Sequence, residues 1–490
     1  MTPQKNATPG EGNMPSSGPI DGARPGTSRR DFLKIAGGVG LAAGVVAVAP
    51  TTAWASKGFQ VRRPSATQVQ LRMAINAGSP NAGQKALAAS FEAETGAKVV
   101  YEAYEAVDWN GFFAKVLTQL AAGVPLDCAY VATEGMQLFS HSGLSMPLDS
   151  FVMRDKAELK PYFADIHPLL TECEMYQGSL MMLPTEFNAG DLYYDTTLFE
   201  KAGIPRPPDD WTEADFINIV KHWANVQDVG WDWVVRLWGS WSSWMYANGS
   251  NLLTEGKYGG GDWLWSTFYP GQPARSGGWH WGEPTANAPG TVEALQLMID
   301  LKQQGISPSP DAGGGGTLQG LFASNHIATT IGGGFWAGGL YEAGMKPNAY
   351  DVMYFPKWKV QKHLIGVGGF TVLEKSKNHD LAWEWIKHST TADAISTVYG
   401  PRAPDKGNTS TPARRSVLSA AGYAPTGPKH WDVFYGTLDN YPNTTPIPAP
   451  FYYEALATAF LARTTQGFSS GNAQSALNGL QADLEKLYKA

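Results

Sequence analysis

Val69-Gln70-Leu71-Arg72-Met73-Ala74-Ile75-Asn76 alternates apolar and polar residues with the period of a strand. The turn residues Gly78-Ser79-Pro80-Asn81 follow it, and the pattern then predicts a helix from Ala82 to about Thr95. Gly96 stops that helix, because glycine tolerates the left-handed conformation in which helices end. Lys98-Val99-Val100-Tyr101-Glu102 reads as a second strand. Asp108 is placed to cap a second helix with apolar residues at Phe112, Phe113, Val116, Leu117 and Leu120, Gly123 ends it, and Cys128 to Val131 forms a third strand. A βαβαβ order implies a parallel sheet with helices on both faces. Ligands of such sheets gather at the carboxyl ends of the strands, which puts Ser79, Asn81 and the Thr133-Glu134 turn at a candidate site.

Upstream, Ser28-Arg29-Arg30-Asp31-Phe32-Leu33-Lys34 runs into the apolar stretch Ile35 to Ala49 and then Ala53-Trp54-Ala55. Paired arginines, a short apolar segment and a small-residue cleavage site predict a twin-arginine export signal removed after Ala55, behind a Pro/Gly/Ser-rich leader. No cysteine stands near that site, so the expected product is a released periplasmic protein without a lipid anchor. The remaining 435 residues exceed what one core usually organises, so two lobes are expected. With 17% charged residues and a net charge of −7, neither a nucleic-acid surface nor a polybasic membrane patch is indicated. Only Cys128 and Cys173 are present, which rules out a disulfide scaffold but leaves a single bond between them open; Cys128 sits in an apolar run and reads as a small buried hydrophobe. The nine histidines show no metal-ligand spacing, and no cofactor is predicted.

Five ordered landmarks then carry a resemblance. Leu120-Ala121-Ala122-Gly123-Val124-Pro125-Leu126-Asp127 precedes Ser142-Gly143-Leu144-Ser145-Met146-Pro147-Leu148-Asp149. Tyr176-Gln177-Gly178-Ser179-Leu180 leads through Leu183-Pro184 and Asn188-Ala189-Gly190 to Leu198-Phe199-Glu200-Lys201-Ala202-Gly203-Ile204-Pro205. Ala328-Thr329-Thr330-Ile331-Gly332-Gly333-Gly334-Phe335-Trp336, Gly366-Val367-Gly368-Gly369-Phe370 and Ser376-Lys377-Asn378-His379-Asp380-Leu381-Ala382-Trp383-Glu384-Trp385-Ile386 complete the set. In this order they resemble the extracellular solute-binding proteins of ABC importers, in the cluster that contains the maltose-binding protein.

The resemblance implies an α/β, two-lobed periplasmic-binding-protein fold of the type II kind, each lobe a mainly parallel sheet flanked by helices. It implies three crossings, near 186–188, 357–364 and 390–393. Residues 56–187 with 362–392 would then form the first lobe, and 188–361 with 393–490 the second. It further implies a monomer that captures a mono- or oligosaccharide between the lobes and delivers it to a membrane permease.

Candidate ligand contacts follow on the same basis. Glu134 falls where the family often places a carboxylate for sugar hydroxyls, and Asn188 stands at the first crossing. Phe335 and Trp336 occupy an aromatic position of the second lobe, with core packing the alternative for one of them. Nine of the 18 tryptophans lie between Trp231 and Trp281, more than a core needs, and Trp238, Trp241 and Trp244 share one side if helical, where a core role competes with a ligand platform. Tyr452 and Tyr453 open the last helical segment, Gly368 and Gly369 would offer backbone N–H groups, and Arg402 would offer a planar fork. Gly332 to Gly334 would let the backbone approach either the ligand or a neighbouring strand. Two other functions remain open: a glycerol phosphodiester receptor of the same family, with Arg402 holding the phosphate, and a secreted carbohydrate-active enzyme. The latter lacks a nucleophile elbow, a His-Glu-x-x-His or a phosphate loop, although spacing cannot reveal a pair of glycosidase carboxylates.

Overall fold

The computed structural model describes residues 69–272, 275–312, 316–400, 410–418, 428–440 and 443–489. The export signal and Arg402 lie outside the described residues. Eleven strands matter for the site. They are β1 (Gln70–Ile75), β2 (Lys98–Ala103), β3 (Cys128–Ala132), β4 (Leu183–Ala189), β5 (Asp191–Asp195), β6 (Val229–Trp231), β7 (Ile327–Gly332), β8 (Tyr350–Met353), β9 (Leu364–Val372), β10 (Thr411–Pro412) and β11 (Thr445–Pro446).

The opening βαβαβ forms as its sequence dictates. β1 runs parallel to β2 from Gln70↔Lys98 to Ile75↔Ala103, and parallel to β3 at Met73↔Cys128. The helix Ala82–Thr95 starts with a reciprocal capping box, Gln84 N donating to Asn81 Oδ1 at 2.7 Å and Asn81 N to Gln84 Oε1 at 2.9 Å. It ends on Gly96 at φ 75°, where a side chain would be strained. Asp108 caps the helix Trp109–Ala121 through Gly111 N. Leu87 and Phe91 of the first helix join β1's Leu71, Met73 and Ile75 on one face of the sheet. Phe112, Phe113 and Val116 of the second meet Ala129, Val131 and Phe139 on the other. Each such side chain contributes about 1.5–3 kcal/mol by leaving water. Cys128 and Cys173 are buried free thiols.

β9 then inserts antiparallel between β3 and β4, β10 adds to the far side of β4, and β11 pairs with the start of β9. The seven-stranded sheet therefore has the order β10-β4-β9-β3-β1-β2, with β11 beside β9. A second sheet, β8-β5-β7-β6, is built on β5, which runs antiparallel to both neighbours. Both sheets are thus mixed rather than mainly parallel, because the strands next to the passages between sheets run against their neighbours.

The chain passes from the first sheet to the second at Gly190, between β4 and β5, and returns between Met353 and Leu364. The third passage falls later than the 390–393 expected. The helix Ala392–Val398 packs so closely on the first helix that a Cβ on Gly83 would lie 2.7 Å from Thr397 O. The chain beyond it still pairs with β4 through β10. By the helix Asp432–Asn440 it lies against the second sheet, with Phe434 6.3 Å from Tyr193 and Thr437 Oγ1 donating to Asp191 Oδ2 at 2.9 Å.

Candidate functional site

A cavity of about 560 Å³ opens where β1 and β3 end, as the strand-end rule expects. The first sheet supplies Asn76 and Ser79 after β1, Tyr130 on β3, Glu134 just beyond it, Glu186 and Asn188 on β4, and Gly366 and Val367 on β9. Facing residues come from the segment 235–238, from Phe335 and from the helix Tyr453–Ser470.

Seven expected residues line this cavity: Ser79, Asn81, Glu134, Asn188, Trp238, Phe335 and Tyr453. Asn81 also caps the first helix, so its Oδ1 is already committed. Asn188 Nδ2 donates to Glu186 Oε2 at 2.8 Å and to Ser410 Oγ at 3.0 Å, while Tyr130 Oη donates to Glu186 Oε1. These bonds tie β3 to β4 and β4 to Ser410 just before β10, and they form one polar wall of the cavity.

Trp241, Trp244 and Trp336 sit in the core instead. Trp241 stacks on Phe460 at 5.0 Å and donates to Thr464 Oγ1, and Trp244 is packed by Phe216, Trp231 and Phe355. Trp238 precedes the helix Trp241–Ala247, so the spacing of three put no common face on the trio. Eight of the nine tryptophans between 231 and 281 are buried, so this core does use them. Trp336 is 1% exposed against Tyr193 and Phe322, because one helical step turns it away from the side on which Phe335 meets the cavity.

Gly368 and Gly369 lie within β9 behind the wall. A Cβ on Gly368 would run into Tyr130 Oη and Glu186 Oε1, and one on Gly369 into the backbone of Leu183, so Gly366 and Val367 take the lining place. Tyr452 lines a neighbouring surface groove with Phe451. The glycine run serves backbone packing: a Cβ on Gly333 would lie 2.7 Å from Asn188, and one on Gly334 would meet Thr411.

Sequence reasoning missed Trp109, Tyr130, Glu186, Arg236, Tyr399 and Ser410, all of which line the cavity. Glu186 stands two residues from Asn188 on β4, a spacing that in extended chain keeps the same side, whereas Arg236 lies in a bend before Trp238 where that rule does not apply. Trp109 follows the Asp108 cap at a strand end and stacks on Tyr130 at 5.8 Å with an interplanar angle of 26°. Tyr399 opens the 399–404 segment that resembles a family turn bordering the cleft, where Arg402 rather than the tyrosine is the expected contact, and Ser410 arrives with no local signal.

Burial sets the electrostatics. It pushes the Glu134 carboxyl up to about 7, its own backbone N–H partly opposing the rise. It also raises Glu186, against hydrogen bonds from Ser410, Tyr130 and Asn188, and lowers the Arg236 guanidinium to about 10, with the Glu134 charge opposing. Aromatic faces beside mixed donors and acceptors can hold a small polar molecule that also has apolar faces.

Two α/β sheets joined by repeated chain passages, with a polar and aromatic cavity between their elements, define a ligand-capturing receptor architecture. The chain belongs to the bacterial extracellular solute-binding protein family, whose pattern matches residues 86–426. A Brucella abortus protein named as a binding protein is 26% identical over 328 residues, 63% of this chain and 72% of that one. An ABC substrate-binding protein of Listeria monocytogenes, solved in complex with cycloalternan, superposes with TM-score 0.69 at 18% identity, over 86% of this chain and 100% of that one. A solute-binding protein of an ABC transporter from Thermotoga lettingae, bound with alpha-D-tagatose, gives 0.68 at 17%, over 86% and 100%. Among the described residues, no helix is long and apolar enough to cross a membrane.

Proposed function

We propose that this protein is the receptor of an ABC importer and captures a carbohydrate in the cavity between its two sheets. The observation that carries this reading is the composition of the cavity. Trp109, Tyr130, Trp238 and Phe335 present rings, while Glu134, Asn188 and Arg236 present acceptors and donors. A pyranose has apolar faces for the rings and hydroxyls at its edge for the polar groups. The sugars bound by the two solved neighbours support the same class of ligand. The two sheets with their helices are read as the two lobes: the first, expected over 56–187 with 362–392, also takes 393–400 and 410–412, and the second, expected over 188–361 with 393–490, resumes by Asp432. Ligand binding would favour a closed arrangement only by its higher affinity for that arrangement. Export by the twin-arginine route, release into the periplasm without a lipid anchor and a monomeric state belong to this proposal, on the residues 28–55 and the family resemblance.

A thermal-shift screen of the purified protein against sugars, polyols and glycerol phosphodiesters tests the reading, since a ligand of the folded state raises the melting temperature by mass action. The expected result is a shift with a carbohydrate that is recovered intact. A shift by phosphodiesters alone contradicts the ligand class. Conversion of the sugar would assign Glu134 and Glu186, the two raised carboxyls of the cavity, to catalysis instead.

A further inference from the structure

One cation of the cavity wall, Arg236, feels the Glu134 charge but has no hydrogen-bonded acceptor at its Nε and Nη2 among the described residues. Arg236 lines the cavity beside Trp238 and Phe335, whose ring centroids lie 5.2 and 5.7 Å from its guanidinium carbon. Ring faces attract the charge but offer no oxygen acceptor. Among the described residues Arg236 Nε and Nη2 are shut off from water without an acceptor, and the indole Nε1 of Trp238 is in the same condition. Unsatisfied buried donors are costly, and a buried charge more so. Three such donors belong to neighbouring side chains that line one cavity, so a shift of those side chains would offer them to an acceptor bound there.

We infer that this corner receives a carboxylate of the ligand, so that the bound sugar is a uronic acid, free or within an oligosaccharide. The inference rests on the carbohydrate reading above and specifies it. A guanidinium matches the two oxygens of a carboxylate in one plane, a fit that a hydroxyl lacks. Rings rather than acceptors hold Arg236, and its Nε–H and Nη2–H edge, shut off from water in this structure, would turn to meet such a pair.

The acidic groups nearby fit this assignment. Asp108 is engaged as the cap of its helix at Gly111 N, and Glu186 accepts from Tyr130 and Asn188. Glu134 feels Glu186 from β4, Asp108 from the second helix cap and Arg236, and Tyr453 of the C-terminal helix pair feels Glu134, Asp108 and Arg236. With its carboxyl pushed up to about 7 by burial, Glu134 holds a proton for much of the time near neutrality and can then donate to an anion. A bound carboxylate raises it further, so binding takes up a proton and strengthens as pH falls from about 8 to about 6.

Calorimetric titration of matched pairs tests this: glucose with glucuronate, galactose with galacturonate, and galactotriose with trigalacturonate. In at least one pair the acidic member is expected to bind about tenfold tighter or more. The heat should depend on the buffer's ionisation enthalpy, as proton uptake requires. Arg236→Gln should bring the ratio within the pair towards one, and Arg236→Lys, which keeps charge without the fork, should restore it only in part. Melting curves verify that both variants fold. Neutral members binding as tightly as acidic ones, an unchanged ratio in Arg236→Gln, or a glycerol phosphodiester outcompeting every uronate overturns the inference while carbohydrate or phosphodiester capture is judged separately. If no member of any pair binds, the carbohydrate reading falls with it.

Discussion

Tryptophan illustrates how much a single residue's surroundings decide. Trp336 and Trp109 are both large rings near the cavity, yet Trp336 is enclosed by Tyr193 and Phe322, while Trp109 lines the cavity itself. Trp336→Ala should therefore cost about 3–5 kcal/mol of stability, read by denaturant unfolding. Trp109→Ala should cost about 1–2 kcal/mol of ligand affinity while sparing most of that stability. Equal stability losses in the two variants would contradict the placement. The sequence made Asn188, Glu134 and Phe335 legible because each sits beside a recognisable landmark. It could not separate Trp238 from Trp241 and Trp244, since regular spacing carries meaning only inside a helix and Trp238 lies before one.

At the scale of elements, caps and glycines made the opening βαβαβ readable to within a residue or two. Asn81, Gly96 and Asp108 fix helix ends by local hydrogen bonds and backbone conformation, which a sequence displays. The third passage was misplaced because β10 is only Thr411–Pro412 and its partner β4 lies more than 200 residues earlier, a pairing with no local trace. Gly333 shows the converse, a local residue with a long-range reason, because its missing Cβ leaves room for Asn188. Gly333→Ala should displace the Asn188 amide from Glu186 and Ser410, and so weaken binding several-fold more than Gly344→Ala weakens it. Gly344 has nothing near its Cβ position and lies outside the cavity lining, although its φ of 83° lets an alanine there report backbone strain alone. Equal affinities in the two variants would contradict the packing account.

For the molecule as a whole, burial of acidic groups sets a pH profile. Burial raises Glu134 to about 7, Asp191 to about 8 and Asp195 to about 6, all above the unfolded range near 4. The folded state then binds more protons than the unfolded one, so these groups lose stability for the fold as pH rises through those values. His363, lowered to about 3, and His167, lowered to about 4, act oppositely, but their effect on the slope fades as pH rises past the unfolded histidine value near 6.5 and is nearly spent about one unit above it. Between about pH 6.5 and 8 the acids outweigh the last of the histidine titration, and the melting temperature at constant ionic strength should fall; a rise over that window would contradict the burial assigned to them. Asp191 and His363 also stand at the first and second passages between the sheets, 3.6 Å apart, so the same titration bears on the joint between them.

The central claim is that a carbohydrate binds between the two sheets, and a crystal structure of the protein with the sugar that most raises its melting temperature tests it most directly. The account predicts an intact sugar enclosed by Trp109 and Tyr130 on one side and Trp238 and Phe335 on the other, with its polar edge at Arg236, Glu134 and Asn188. A sugar found elsewhere, such as the groove at Phe451 and Tyr452, or a cleaved product in the cavity, would contradict it.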